Sequence, residues 1–175
     1  MMLPKALAAA LGLVLALVVG CSQSATPTAK ATLVNTKGER VGEATLTETP
    51  KGVKIVLQVE HLPPGVHAFH IHENGVCATP DFASAGGHFN PFGKQHGFEN
   101  PAGPHAGDLP NITVGPDGTA KVEMYTKLVT LKEGAKNSLF KPGGTSLVIH
   151  AGPDDYVTDP AGNAGARIAC GVITR

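Results

Sequence analysis

The stretch Val53-Lys54-Ile55-Val56-Leu57-Gln58-Val59-Glu60 alternates apolar and polar residues over most of its length. Side chains on a strand point to opposite faces in turn, so this period of two predicts a half-buried β-strand. Shorter runs of the same kind lie at 31–35, 41–47, 120–125, 147–150 and 168–174. Turn signals separate them: Lys37-Gly38, Pro50-Lys51-Gly52, Pro63-Pro64-Gly65, Gly115-Pro116-Asp117-Gly118 and Pro142-Gly143-Gly144. No long stretch carries a helical period. Strands at this spacing without intervening helices predict an all-β domain, an antiparallel sandwich or barrel. Composition agrees, since the 22 Gly and 14 Pro make about a fifth of the 175 residues and Trp is absent.

Residues 74–111 break the pattern. They show no strand period, and Gly, Pro, Asn and His dominate. A structureless loop of this length inside a small domain is usually functional or tied down, because it cannot build a core of its own. Its histidines and one cysteine are the available ties.

The first 20 residues read as a leader. Lys5 precedes an uninterrupted apolar stretch, 6–19, of 14 residues. That is shorter than the about 20 residues of a membrane span and fits a signal-peptide core. It ends in Val18-Val19-Gly20-Cys21, which looks like a lipobox, a small-residue motif before a cysteine that receives lipid; the other reading is an ordinary secretory signal that contains a cysteine. The polar segment after Cys21 suits a flexible tether, placing the anchor and tether at 21–30 and the domain at 31–175. If Cys21 takes lipid, Cys77 and Cys170 remain as one pair in an oxidising compartment. Their loop spans more than half the chain, which the chain-entropy model credits with roughly 4–5 kcal/mol. The protein is then exported and membrane-anchored through Cys21, on the cell surface or facing a periplasm. Lys+Arg and Asp+Glu balance at 14 each, so no basic field argues for nucleic acid.

Eight histidines are many for this length. In Gly65-Val66-His67-Ala68-Phe69-His70-Ile71-His72, a strand puts His70 and His72 on one face, with Phe69 and Ile71 on the other. Such a pair is either a metal site or two solvated imidazoles. The loop adds His88, His96, His105 and Asp108, a complete four-coordinate set suited to zinc. With every position filled by protein, that site is structural, and its binding energy becomes folding energy. His150 ends a strand-like run and joins His70 and His72 only if the two strands are neighbours. A three-imidazole site of that kind suits copper and zinc alike.

Three segments carry a family resemblance: Gly65 to His72, Gly87-His88-Phe89-Asn90-Pro91, and Gly162-Asn163-Ala164-Gly165-Ala166-Arg167-Ile168-Ala169-Cys170-Gly171. Together they resemble the copper–zinc superoxide dismutases, over roughly residues 31–175, and in particular the bacterial lipoprotein type. The resemblance implies an eight-stranded antiparallel Greek-key β-barrel with two long active-site loops. It implies copper on His70, His72, His88 and His150, zinc on His88, His96, His105 and Asp108, and His88 shared by both metals. Asp154 would link His70 to His96, Cys77 and Cys170 would form the intrasubunit disulfide, and His67 would be tied to backbone rather than metal. In the implied cycle one superoxide is oxidised to oxygen and a second is reduced to hydrogen peroxide, with His88 delivering a proton and Arg167 holding the anion.

Two departures matter. The stretch from His150 to Arg167 is shorter than in eukaryotic relatives and holds Asp154, Asp155 and Asp159 but no Lys, which leaves Lys94 or Lys141 as sources of a steering field. The stretch from Cys77 to His88 is longer, as in bacterial periplasmic relatives. Both regions influence subunit pairing, so a homodimer stays an open expectation. Two other classes compete. A non-catalytic metal-binding or metal-buffering domain would be expected to lose a copper ligand or the arginine, and here all are present. A zinc hydrolase needs an open zinc position and a nearby Glu. Glu73, next after His72, would face the opposite side if the strand continued.

Overall fold

The computed structural model describes residues 26–175, so the leader and Cys21 lie outside the described residues. Nine strand segments follow in order: β1 Thr28–Asn35, β2 Arg40–Thr49, β3 Gly52–Val59, β4 Gly65–His67, β5 Phe69–His72, β6 Ile112–Val114, β7 Ala120–Thr126, β8 Ser146–His150 and β9 Arg167–Val172. The only helical element described is one 3₁₀ turn, Ala83–Ala85. β4 and β5 are a single pass interrupted at Ala68, so nine segments make eight passes. All pairings between the strands are antiparallel, in the order β5-β8-β9-β1-β2-β3-β7, with β4 pairing β6. β3 pairs with β2 on one side and, skipping β4 to β6, with β7 on the other, and β1 pairs with β9, which gives Greek-key connectivity.

The alternation read from residues 53–60 is what builds the core. Val53, Ile55, Leu57 and Val59 point inward with Leu33, Leu46, Phe69, Ile71, Leu147 and Ile149. Fully burying a side chain of this size contributes about 1.5–3 kcal/mol. β1 begins at Thr28, inside the 21–30 stretch assigned above to the tether. Ala29 is buried against the barrel and Thr28 pairs with Thr47, so the ordered domain starts three residues earlier than expected. β6 escaped the sequence reading because three residues are too few to show a period.

The long loop 74–111 is held by more than its histidines and cysteine. It lays two passes beside β5: Phe89 N–H donates to the Ile71 carbonyl and Ile71 N–H to the Gly107 carbonyl, both at 2.8 Å. Phe89 and Leu109 also pack into the main core. The Cys77–Cys170 disulfide is formed, across a separation of 93 residues. Beside it Phe82, Ala85, Val148 and Cys170 make a second small core on the outer side of the sheet. Leu57→Ala is expected to cost about 2–5 kcal/mol in urea unfolding of the metal-free protein. A loss below 1 kcal/mol would mean that β3 is not the inner wall described.

Candidate metal centre

The register of β5 against β8 decides where the first histidines meet. His70 lies opposite Val148 and His72 opposite Ser146. His150 N–H donates to the Ala68 carbonyl at 2.9 Å, one step further along the same ladder. Residues at even spacing share a face, so His70, His72 and His150 all project outward, away from Phe69 and Ile71 in the core. Loop 74–111 covers that face and brings His88 beside His72 and Asp108 beside His70 through single backbone bridges. All six histidines of the cluster (70, 72, 88, 96, 105 and 150) and both Asp108 and Asp154 are buried.

Four of these imidazoles are tied on one nitrogen to a group outside the two sets, which turns the other nitrogen toward the cluster. His72 Nδ1 donates to the Gly86 carbonyl at 3.0 Å and His150 Nδ1 to the Gly165 carbonyl at 3.2 Å. His70 Nε2 donates to Asp154 Oδ2 at 2.8 Å, and His96 Nε2 to Asp154 Oδ1 at 2.9 Å. These outer bonds choose the tautomer and aim the remaining lone pair inward. His70, His72, His88 and His150 thereby converge as one set, with His72 Nε2 and His150 Nε2 3.4 Å apart. His88, His96, His105 and Asp108 form a second. Here three Nδ1 atoms surround Asp108 Oδ1, at 2.9, 3.0 and 3.5 Å. A tetrahedron with zinc-ligand bonds of about 2.0–2.1 Å has edges of about 3.3 Å, which these separations bracket. Asp108 Oδ2 is held by the backbone N–H groups of Gly97 and His105.

His88 belongs to both sets. Its Nδ1 faces Asp108, while its Nε2, like His70 Nδ1, is buried without a hydrogen-bond partner. Burying an unpaired polar nitrogen costs free energy unless something occupies its lone pair. Both orphans point into the first set, which fits a metal there.

Electrostatics separate the two halves. Burial holds His72 well below the ordinary imidazole range and pushes His88 down to about 4 and His150 down to about 3, so all three rings are neutral at pH 7 and able to offer a lone pair to a metal. His96 goes the other way. Burial opposes its charge, yet the Asp108 and Asp154 carboxylates outweigh burial and raise it to about 9. A field that draws a proton to His96 draws a divalent cation as well. Both aspartates are held well below the usual carboxylate range despite burial, because histidines donate to them.

Arg167 is half-buried on β9. Its guanidinium donates to the carbonyls of Phe82 and Gly86, each at 2.6 Å, at the rim of a cleft of about 420 Å³ that reaches His72, His88 and His150. The disulfide fastens the segment bearing those carbonyls to β9. Lys94 and Lys141, the expected steering charges, do not line this cleft; the charges that do are Arg167 and Glu73. Glu73 therefore departs from the expectation that it faces away. β5 ends at His72, so the period of two stops there. His67 is placed as expected, with both ring nitrogens 2.8 Å from the carbonyls of His150 and Pro63.

Residues 40–173 match the family described as copper/zinc superoxide dismutase (SODC). The chain belongs to that family. The copper–zinc superoxide dismutase 2 of Aquifex aeolicus is 59% identical over 158 residues, covering 90% of this chain and 92% of the relative. A doubly substituted SOD-like protein from Bacillus subtilis superposes with a TM-score of 0.81 at 47% identity, covering 83% of this chain and 97% of that one. The copper/zinc superoxide dismutase from Brucella abortus gives a TM-score of 0.68 at 30% identity, covering 83% and 98%. Copper and zinc are the family's metals, and the two buried sets suit them: four imidazoles on one side, three imidazoles and a carboxylate on the other.

Sequence reading anticipated Asp154 and the disulfide but missed the glycines that support this dismutase centre. Gly162, at φ +63°, is one; a Cβ there would fall 1.9 Å from Asp154 Oδ1 and 2.8 Å from His96 Nε2. Only its place in a Gly-rich stretch hinted at it. Gly162→Ala is expected to push Asp154 off His70 and His96 and to weaken zinc binding roughly 10–100-fold, read by titration against a chelator. Wild-type affinity in that variant would remove Asp154 from its supporting role.

Proposed function

We propose that the protein dismutates superoxide, converting two superoxide anions and two protons to oxygen and hydrogen peroxide, with the ligand sets above and Arg167 as its working parts. His88 carries the reading, since one buried ring serves both sets and keeps its Nε2 free for the first. When bound, copper supplies one-electron redox chemistry and zinc supplies a fixed positive charge. The chain's own residues do the rest. Two of Arg167's five donors are spent on Phe82 and Gly86, which fixes the plane of the guanidinium and leaves other N–H groups to hold an anion by charge-assisted hydrogen bonds. Burial keeps His72 and His150 neutral, and the Gly86 and Gly165 carbonyls aim them. His88 Nε2 is the atom placed to take and release a proton at the cleft, because Nδ1 is held in the Asp108 cluster. A purely metal-buffering domain has no use for an arginine clamped over the cleft.

Export and tethering through Cys21 belong to the same proposal. Their support is that Cys77 and Cys170 pair with each other, leaving Cys21 as the one cysteine for a lipid.

Superoxide removal should be negligible for the metal-free and zinc-only protein and should appear on adding copper to the zinc form; no gain would overturn the enzymatic reading. Arg167→Ala should keep both metals while losing roughly tenfold or more in rate. Loss of copper from that variant would instead make Arg167 structural. Cys21→Ser should move the protein from the membrane fraction to the soluble one, and continued membrane retention would sink the anchor. Sedimentation of that soluble form reads out whether two copies pair into a homodimer.

A further inference from the structure

The peptide joining Gly86 to Gly87 is hydrogen-bonded to side chains at both of its ends. Its carbonyl accepts from both His72 Nδ1, at 3.0 Å, and Arg167 Nη2, at 2.6 Å. Its N–H, on Gly87, donates to Glu73 Oε1 at 3.0 Å. Glu73 and Asn74 also run along this segment through backbone bonds, Glu73 N–H to the Gly87 carbonyl at 2.9 Å and Asn74 N–H to the Ala85 carbonyl at 3.0 Å. The fit is close: a Cβ on Gly86 would lie 2.7 Å from Glu73 Oε1 and from Asn74 Nδ2. One peptide thus has a carboxylate at its donor end and an imidazole and a guanidinium at its acceptor end.

Hydrogen bonds in series polarise one another. A carboxylate accepting from the Gly87 N–H makes the Gly86 carbonyl a stronger acceptor. It also stops the peptide from rotating away from His72 and Arg167. The same carboxylate lines the cleft that Arg167 lines, so it opposes the approach of an anion. No lysine among the residues lining that cleft offsets it.

We propose that Glu73 is a positioning residue of the dismutase centre: it clamps the Gly86–Gly87 peptide that aims His72 and Arg167, and its charge slows anion entry. This rests on the dismutase reading for its effect on rate, but the clamp is a property of the chain alone. Gln in place of Glu73 keeps an oxygen for the Gly87 N–H and removes the charge, whereas Ala removes both. The two substitutions therefore separate the roles.

The test compares wild type, Glu73→Gln and Glu73→Ala, each loaded with copper and zinc and checked for metal content, in superoxide removal at roughly 0.01 M and about 1 M salt. At low salt Glu73→Gln should be about two- to fivefold faster than wild type, and at high salt it should lie within about twofold. Glu73→Ala should be roughly fivefold or more slower than Glu73→Gln at high salt, where charge is screened. In zinc-loaded, copper-free protein, NMR should show the His72 Nδ1 proton exchanging with solvent faster in Glu73→Ala and protected in Glu73→Gln. Equal high-salt rates for Ala and Gln with unchanged proton exchange would overturn the clamp. Identical salt dependence in wild type and Gln would overturn the charge effect. If wild type loaded with copper and zinc removed no superoxide, the dismutase reading would fail while the NMR comparison still decided the clamp.

Discussion

The centre depends on strand β5 having two faces with opposite demands. Phe69 and Ile71 seal one face into the barrel, which fixes the register and leaves no freedom to slip, since a shift by one residue would put His70 and His72 inside. The other face is covered by loop rather than by a second sheet. That loop reaches the strand through backbone bonds to Ile71 and through polar side chains. Burying so many imidazoles is tolerable because His70, His72, His96 and His150 each give one nitrogen to a carbonyl or to Asp154 and turn the other toward the centre.

Two levels of support can be told apart. The barrel supplies His70, His72, His150 and Arg167 from adjacent strands, and these positions follow from pairing alone. The loops supply His88, His96, His105, Asp108 and Asp154, and their positions follow from a denser set of side-chain and backbone bonds. Asp108 illustrates the second kind: one oxygen faces three imidazole nitrogens, and the other is pinned by two backbone N–H groups. The disulfide ties the loop segment bearing the Phe82 and Gly86 carbonyls to the strand that bears Arg167, so donor and acceptors are fastened to one another.

Much of this was legible in the sequence, for reasons that differ by region. Residues 53–60 announced their strand because a half-buried strand must alternate, and His70 and His72 shared a face for the same reason. The grouping of His88, His96, His105 and Asp108 rested on ligand arithmetic and on resemblance, since a loop has no period to place side chains. β6 was too short to register, and β1 started early because Ala29 is small and its alternation gives little contrast. The reading of Glu73 went astray by extending strand periodicity one residue past the strand's end. The supporting roles of Gly162 and the Gly86–Gly87 peptide were barely legible, because backbone carbonyls and close approaches leave no mark on residue type beyond a glycine.

Asp154 and His88 each touch both ligand sets, and this sharing has a thermodynamic consequence. Whatever ordering of His88 and His70 is achieved when one set closes is ordering that the other set no longer has to supply. The two closures are therefore linked equilibria. By reciprocity the factor by which zinc strengthens copper binding equals the factor by which copper strengthens zinc binding, whichever arrives first. A binuclear centre built on shared side chains is in this sense one cooperative ligand-binding unit, and its affinity for either ion is defined only when the occupancy of the other is stated.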